Sequence, residues 1–197
     1  MTIVLVHGIF NTGRVMSWMR NRFERQGYRC ISPTIAPFDG RKGIAYGAQM
    51  LKAAIDAELG EDAPVVLIGF SMGGVVARYY LQCLGGDKRT RALFTISSPH
   101  NGSYMAYLPY PSQAFRELRP GSTLLNQLNQ QQQGLADIPL YSFRTPLDFT
   151  IVPSRSSHWS IANNQVFKVP LHLSMIYSRR VVEALLTATE QLDLDKS

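Results

Sequence analysis

Near the middle of the chain, Gly69-Phe70-Ser71-Met72-Gly73 sets a serine between two glycines at G-x-S-x-G spacing. Such a serine becomes a nucleophile when a sharp strand-to-helix turn holds it in a strained conformation, and the flanking glycines are needed because side chains there would collide. Three fixed positions of this kind arise by chance in roughly one of fifteen chains this long, so the flanking sequence has to decide. Val65-Val66-Leu67-Ile68 enters the motif as a continuous apolar strand, and Met72-Gly73-Gly74-Val75-Val76-Ala77 leaves it as a helix with small residues where helix and sheet must approach. Strand, turn and helix are the setting this chemistry requires. The helix N-terminus adds its dipole and free amides.

A serine alcohol needs a base, and the base needs an orienting acid; on such a turn the chain order is Ser, then Asp or Glu, then His. Of the four histidines, His7 precedes the serine, and His100, in Ser98-Pro99-His100-Asn101-Gly102, reads as structural. His172 follows the last strand and precedes the closing helix, which makes it the leading base, with His158 in a polar loop the runner-up. Asp148 follows the fifth strand and is the leading acid; a turn or capping aspartate is its bland alternative. Asp137 precedes that strand, at the opposite sheet edge, and Asp193 and Asp195 come after the base in a frayed tail. An acyl-transfer oxyanion needs two amides, expected from Met72 and from Ile9 in the His7-Gly8-Ile9-Phe10 turn, with His7 bracing that loop.

These residues must be positioned by alternating strands and helices. Strands are expected at Ile3–Val6, Tyr28–Ile31, Val65–Gly69, Leu93–Ile96, Leu140–Phe143 and Gln165–Val169. Helices are expected at Val15–Gln26, Gly43–Leu59, Met72–Leu84, Ser122–Gln133 and Ser174–Gln191. Continuous Val/Ile/Leu strands alternating with helices imply a mostly parallel six-stranded sheet covered on both faces, in one domain over residues 1–197. Residues 100–139 break the rhythm, and their Tyr104–Phe115 stretch reads equally as a lid or acyl-binding wall and as a packed cover over the sheet edge.

Composition narrows the partners. The net charge of +6 has seven basic residues within the first 42 positions, a pattern that reads first as a solvated basic face and second as one attracting anionic lipid or nucleic acid. Aromatic residues do not interleave it as in a nucleic-acid module, so no nucleic-acid partner is expected. Transient contact with a membrane surface stays open. Cys30 and Cys83 fit small buried hydrophobes. The N-terminus has no secretory pattern and no run reaches the ~20 apolar residues of a membrane span, so a cytoplasmic chain is expected. No cofactor or metal is called for, and paired aspartates for a calcium site are not seen.

His7-Gly8-Ile9, Gly69-Phe70-Ser71-Met72-Gly73-Gly74, Ser98-Pro99-His100-Asn101-Gly102-Ser103 and Asp148…Val152-Pro153 together resemble the bacterial lipases and related α/β-hydrolases with His-Gly oxyanion loops. Arg116-Glu117-Leu118-Arg119-Pro120-Gly121-Ser122 resembles a segment of the lipase-like relatives of GPI-inositol deacylases. The similarity covers nearly the whole chain and implies an α/β-hydrolase fold, a Ser71, Asp148 and His172 triad, and an acyl ester as substrate. Phe70 stands where many lipases have histidine, and the chain starts on its first core strand, so a minimal hydrolase is expected. Phe10, Phe70, Tyr104 and Tyr107 are the candidate substrate contacts. The expected activity is carboxylic-ester hydrolysis through an acyl-serine intermediate. Acyl transfer, thioester cleavage and non-catalytic binding are the alternatives.

Overall fold

A computed structural model describes residues 1–194; Asp195 lies outside the described residues. Six strands form one sheet: β1 (Thr2–Val6), β2 (Arg29–Ile31), β3 (Val65–Phe70), β4 (Thr90–Ile96), β5 (Leu140–Arg144) and β6 (Asn163–Val166). Their order is β2-β1-β3-β4-β5-β6, and every neighbouring pair is parallel. Parallel strands need crossovers, and these are supplied by α1 (Ser17–Arg25), α2 (Ile44–Leu59) and α3 (Met72–Cys83); α6 (Arg179–Leu194) closes the chain. Two short helices, α4 (Gln113–Glu117) and α5 (Thr123–Gln130), lie between β4 and β5.

The period-two alternation of strand side chains divides the core. Val4, Val6, Leu67 and Leu93 face α2, α3 and α5. Ile3, Leu5, Ile68, Phe70 and Phe94 face α1 and α6. The chain leaves β1 for β2 on one side and later returns to β3 on the other, so the strand order reverses between β1 and β3. Ligands of open α/β sheets bind at such a switch point, outside the carboxyl ends of the strands. The His7 loop and Ser71 both emerge there.

Several element boundaries differ from expectation: β4 starts at Thr90 rather than Leu93, and α5 ends at Gln130 rather than Gln133. β6 runs Asn163–Val166 rather than Gln165–Val169, because a sheet edge tolerates polar residues and Asn163 pairs with Tyr141. The closing helix is preceded by a 3-10 turn at Leu173–Tyr177, after which Ser178 is extended, and α6 starts at Arg179. Val15–Gln26 likewise divides into a 3-10 turn at Gly13–Met16 and α1. The 100–139 excursion is packed: Ala106, Ala114, Leu118, Leu125, Leu128 and Leu135 join the core on the α2/α3 face. Among the described residues no helix is long and apolar enough to cross a membrane.

The closest approach of helix to sheet is at Gly74, where an added Cβ would run into the Ser98 side chain and stand 3.1 Å from Thr95 Cγ2. Gly74→Ala must push α3 off β4 and is expected to cost about 1–3 kcal/mol. Urea unfolding of the purified variant measures that cost.

Candidate active site

β3 ends with the Ser71 N–H donating to Ile96 O at 2.8 Å, and Ser71 then adopts φ 54°, ψ −126° before α3 begins. A left-handed backbone on a residue with a Cβ costs about 1–3 kcal/mol and persists only where its surroundings enforce it. Here glycines enforce it. A Cβ on Gly69 would collide with the Gly74 backbone, one on Gly73 with the Val6 and His7 carbonyls, and one on Gly8 would lie 3.0 Å from Ser71 Cβ.

The loop after β1 is braced from within. The Ile35 N–H donates to His7 Nε2 at 2.9 Å, so Nδ1 carries the ring proton and donates to Gly8 O at 2.8 Å. His7 is fully buried, and burial lowers its pKa. Phe10 has φ 59° and donates its N–H to Phe38 O. Among the described residues the backbone N–H groups of Ile9 and Met72 have no hydrogen-bond partner, and both residues line one cavity with Ser71.

Asp148 and His172 meet at this sheet edge. His172 Nδ1 stands 2.8 Å from Asp148 Oδ2; a carboxylate only accepts, so Nδ1 holds the proton and Nε2 is free of a partner among the described residues. Asp148 Oδ1 accepts from the Thr150 and Ile151 N–H groups at 2.9 and 2.8 Å. Burial by itself would raise the Asp148 pKa, but the His172 and backbone hydrogen bonds outweigh it and hold the carboxyl below its ordinary value. The His172 ring packs 4.7 Å from the ring of Phe70, the residue before the serine, while no hydrogen bond within 3.5 Å joins Ser71 Oγ to it. Catalytic hydrogen bonds are often long in unliganded enzymes and tighten in the Michaelis complex.

The other candidates fall away from Ser71. His158 is exposed. His100 is fully buried: Arg78 Nη1 donates to its Nδ1 at 3.4 Å, and its Nε2 donates to Thr95 Oγ1 at 2.9 Å, which donates on to Tyr141 O. Arg78 and His100 both stack on Trp159. Burial, reinforced by the Arg78 charge, pushes the His100 pKa well down. Cys30 and Cys83 are unpaired, and burial raises the Cys30 thiol to about 12, which disqualifies it as a nucleophile.

The cavity holds about 240 Å³, and among the described residues no charged side chain lines it. Phe10 is on its wall as expected. Phe70 is not: it points to the α1/α6 face of the sheet and backs His172. Tyr104 and Tyr107 stack on each other outside, and the wall is made by their neighbours Met105, Ala106 and Leu108. In a 3-10 turn residues i and i+3 share a face, so Tyr104 and Tyr107 turn out together. Sequence reasoning also missed Phe149 and Ile151, which line the cavity from the acid loop, and Ser103. Ser103 Oγ donates to Thr150 O and accepts from Val152 N, tying the cavity wall to the Asp148 turn. Phe149, Thr150 and Ile151 line the cavity consecutively from a bend, where no strand or helix period marks such residues in a sequence.

The excursion is clamped onto the loop beyond Phe10. Asp39 accepts from Arg41 Nε and from the Tyr110 hydroxyl, and the Arg41 hydrogen bonds hold its carboxyl down to about 2. Tyr110 meets Phe10 edge to face at 5.0 Å. The Arg116–Ser122 segment is also structural: Glu117 Oε2 accepts from the N-terminal Ile44 N–H of α2, Arg119 donates to Ala106 O, and Ser122 caps α5.

Fold and site thus define an enzyme of the hydrolase class on the α/β-hydrolase fold. Residues 2–137 match the palmitoyl protein thioesterase family, and the chain belongs to it. Protein SERAC1 of Danio rerio is 32% identical over 111 residues, which are 49% of this chain and 17% of that protein. The Bos taurus protein of that name is 34% identical over 45% of this chain and 16% of its own length, so the match spans about a sixth of these relatives. Bacillus licheniformis lipase BlEst2 in mature form superimposes with TM-score 0.77 over 97% of this chain and 91% of its own, at 17% identity, which shows the fold.

Both buried histidines bind protons more readily in the unfolded chain. Their lowered folded pKa values therefore give stability that is complete above the ordinary value of 6.5 and is lost as pH falls through it. Urea midpoints are expected to fall between pH 7.5 and 5, and His100→Gln to flatten that slope. A further loss follows below about pH 4 as Asp148 protonates.

Proposed function

We propose that the chain is a serine acyl hydrolase working through an acyl-serine intermediate. Ser71 is the nucleophile, His172 the general base and Asp148 the acid that orients it. The Ile9 and Met72 N–H groups hold the oxyanion. The observation that carries this reading is the Asp148–His172 pair at 2.8 Å, its imidazole packed on the residue before a strained serine that opens into an apolar cavity.

Nε2 of His172 takes the Ser71 proton as Oγ attacks the acyl carbon. The carbonyl electrons move to its oxygen, between two backbone donors, each worth about 3 kcal/mol of transition-state stabilisation. His172 then hands the proton to the leaving group. Water then attacks the acyl carbon and loses a proton to Nε2 of His172, which passes it to Ser71 Oγ as the acyl–serine bond breaks and the acid departs. Asp148 stays ionised throughout, fixing the imidazole tautomer and stabilising its cation.

The apolar lining favours an apolar acyl group, and a carboxylic ester is the leading substrate. The family match favours a thioester as the second reading. The same groups serve both, since a thiol with pKa near 8.5 leaves with less help from an acid than an alcohol does.

Hydrolysis of a hexanoyl p-nitrophenyl ester and of a hexanoyl thioester, compared at equal enzyme concentration, separates the two by kcat/KM. Ser71→Ala is expected to abolish both activities. Asp148→Asn is expected to lower kcat by about 10³–10⁴-fold while the protein stays folded. A folded wild type inactive on both esters and unlabelled at Ser71 by a fluorophosphonate overturns the reading in favour of a binding protein.

A further inference from the structure

The cavity has a closed end and an open end. Its buried walls are Met72, Ala106, Leu118 and Ile151, each less than a tenth exposed, while Phe10, Leu108 and Phe149 at its mouth are between 48% and 69% exposed. The closed end has no slack behind it. Ala114 is fully buried, and the backbone there is tied on both sides: Leu118 N–H donates to Ala114 O at 2.8 Å and Ala114 N–H to Gly40 O at 3.0 Å. A Cβ on Gly40 would stand 2.6 Å from Ala114 Cβ and 3.3 Å from Met72 Sδ, so the next layer is packed to contact. Leu118 O in turn accepts from Ser103 N–H, which pins the floor to the wall.

Resting on the acyl-hydrolase reading above, we propose that this cavity is an acyl-length ruler. Leu118 and Ala106 form the stop, and the chain that fills it is of medium length rather than palmitoyl length. A methylene occupies about the volume of a water molecule in the liquid, roughly 30 Å³. The cavity of about 240 Å³, its mouth included, therefore has room for about eight carbons. Each methylene moved from water into such a cavity gains about fourfold in affinity. Carbons beyond the stop must turn back out across the exposed mouth, where they gain little.

Labelling of Ser71 by n-alkyl fluorophosphonates from butyl to hexadecyl, followed by intact mass, tests the ruler in the whole protein. The second-order rate constant is expected to climb with each carbon and to break to a plateau near eight. Leu118→Ala removes about three carbon volumes from the floor and is expected to move the break about three carbons longer. Ala106→Leu adds as much and is expected to move it about three carbons shorter, and it keeps the test alive should Leu118→Ala unfold. A break at the same length in wild type and both variants, or a rate that climbs unbroken to hexadecyl, overturns the ruler and leaves the serine hydrolase standing. No labelling at any length removes both.

Discussion

The close approach of α3 to the sheet is the constraint on which the site depends. Ser71 can stand at φ 54° only because the helix begins one residue later and sits almost in contact with β1, β3 and β4. Gly69, Gly73 and Gly74 make that contact feasible, each touching backbone or a strand side chain where a Cβ belongs. The same approach brings the Met72 N–H to the cavity beside the Ile9 loop. The proposed nucleophile and oxyanion donors are therefore one packing feature, and the strain at Ser71 is offset by burial on both faces of β3.

A second support lies beneath the cavity wall. Arg78, one and a half turns along α3, is fully buried and faces no carboxylate among the described residues; burial pushes its guanidinium down to about 9, still charged at neutral pH. Its partners are neutral: Gln82, Asn129 on α5, His100 and the face of Trp159. A cation buried this way demands that His100 accept rather than donate toward it, which fixes the imidazole as neutral with its proton on Nε2. The Pro99–Ser103 segment that walls the cavity is thereby anchored to α3, the helix that carries the elbow.

The sequence made the chemistry legible where local geometry demands particular residue types. The G-x-S-x-G turn needs glycine, and strand ends fix which loops share an edge, so reading alone could assign Ser71 to the turn after β3 and pair Asp148 with His172. Side-chain direction was less legible. Phe70 precedes the serine by one residue and so must point to the opposite face, a consequence of strand alternation that outweighs its neighbourhood in the motif. Tyr104 and Tyr107 look like a binding wall by composition, but 3-10 periodicity turns both outward. β6 was misplaced by two residues because Val166, Phe167 and Val169 are apolar, whereas an edge strand is held by backbone pairing that Asn163 and Asn164 satisfy equally well. Ser178 stands extended directly before α6, with its carbonyl accepting from Val182 N–H, which is the N-cap position that serine favours.

The excursion between β4 and β5 then decides what kind of site this is. A lid is an element with its own weak attachment, free to leave the site. Here Ala114, Leu118, Leu125 and Leu128 belong to the sheet's own core, Glu117 satisfies the start of α2, and Tyr110 and Ser112 bond to Asp39 across from the loop after β1. Moving this segment would expose apolar surface, strip α2 of its cap and uncover the Arg78 network at once. The cavity is therefore shaped before any substrate arrives, with its walls set by the fold rather than by closure. On the acyl-hydrolase reading, selectivity comes from the fixed space between Ser71 and Leu118, and the exposed side chains at the mouth meet the group to which the acyl chain is attached.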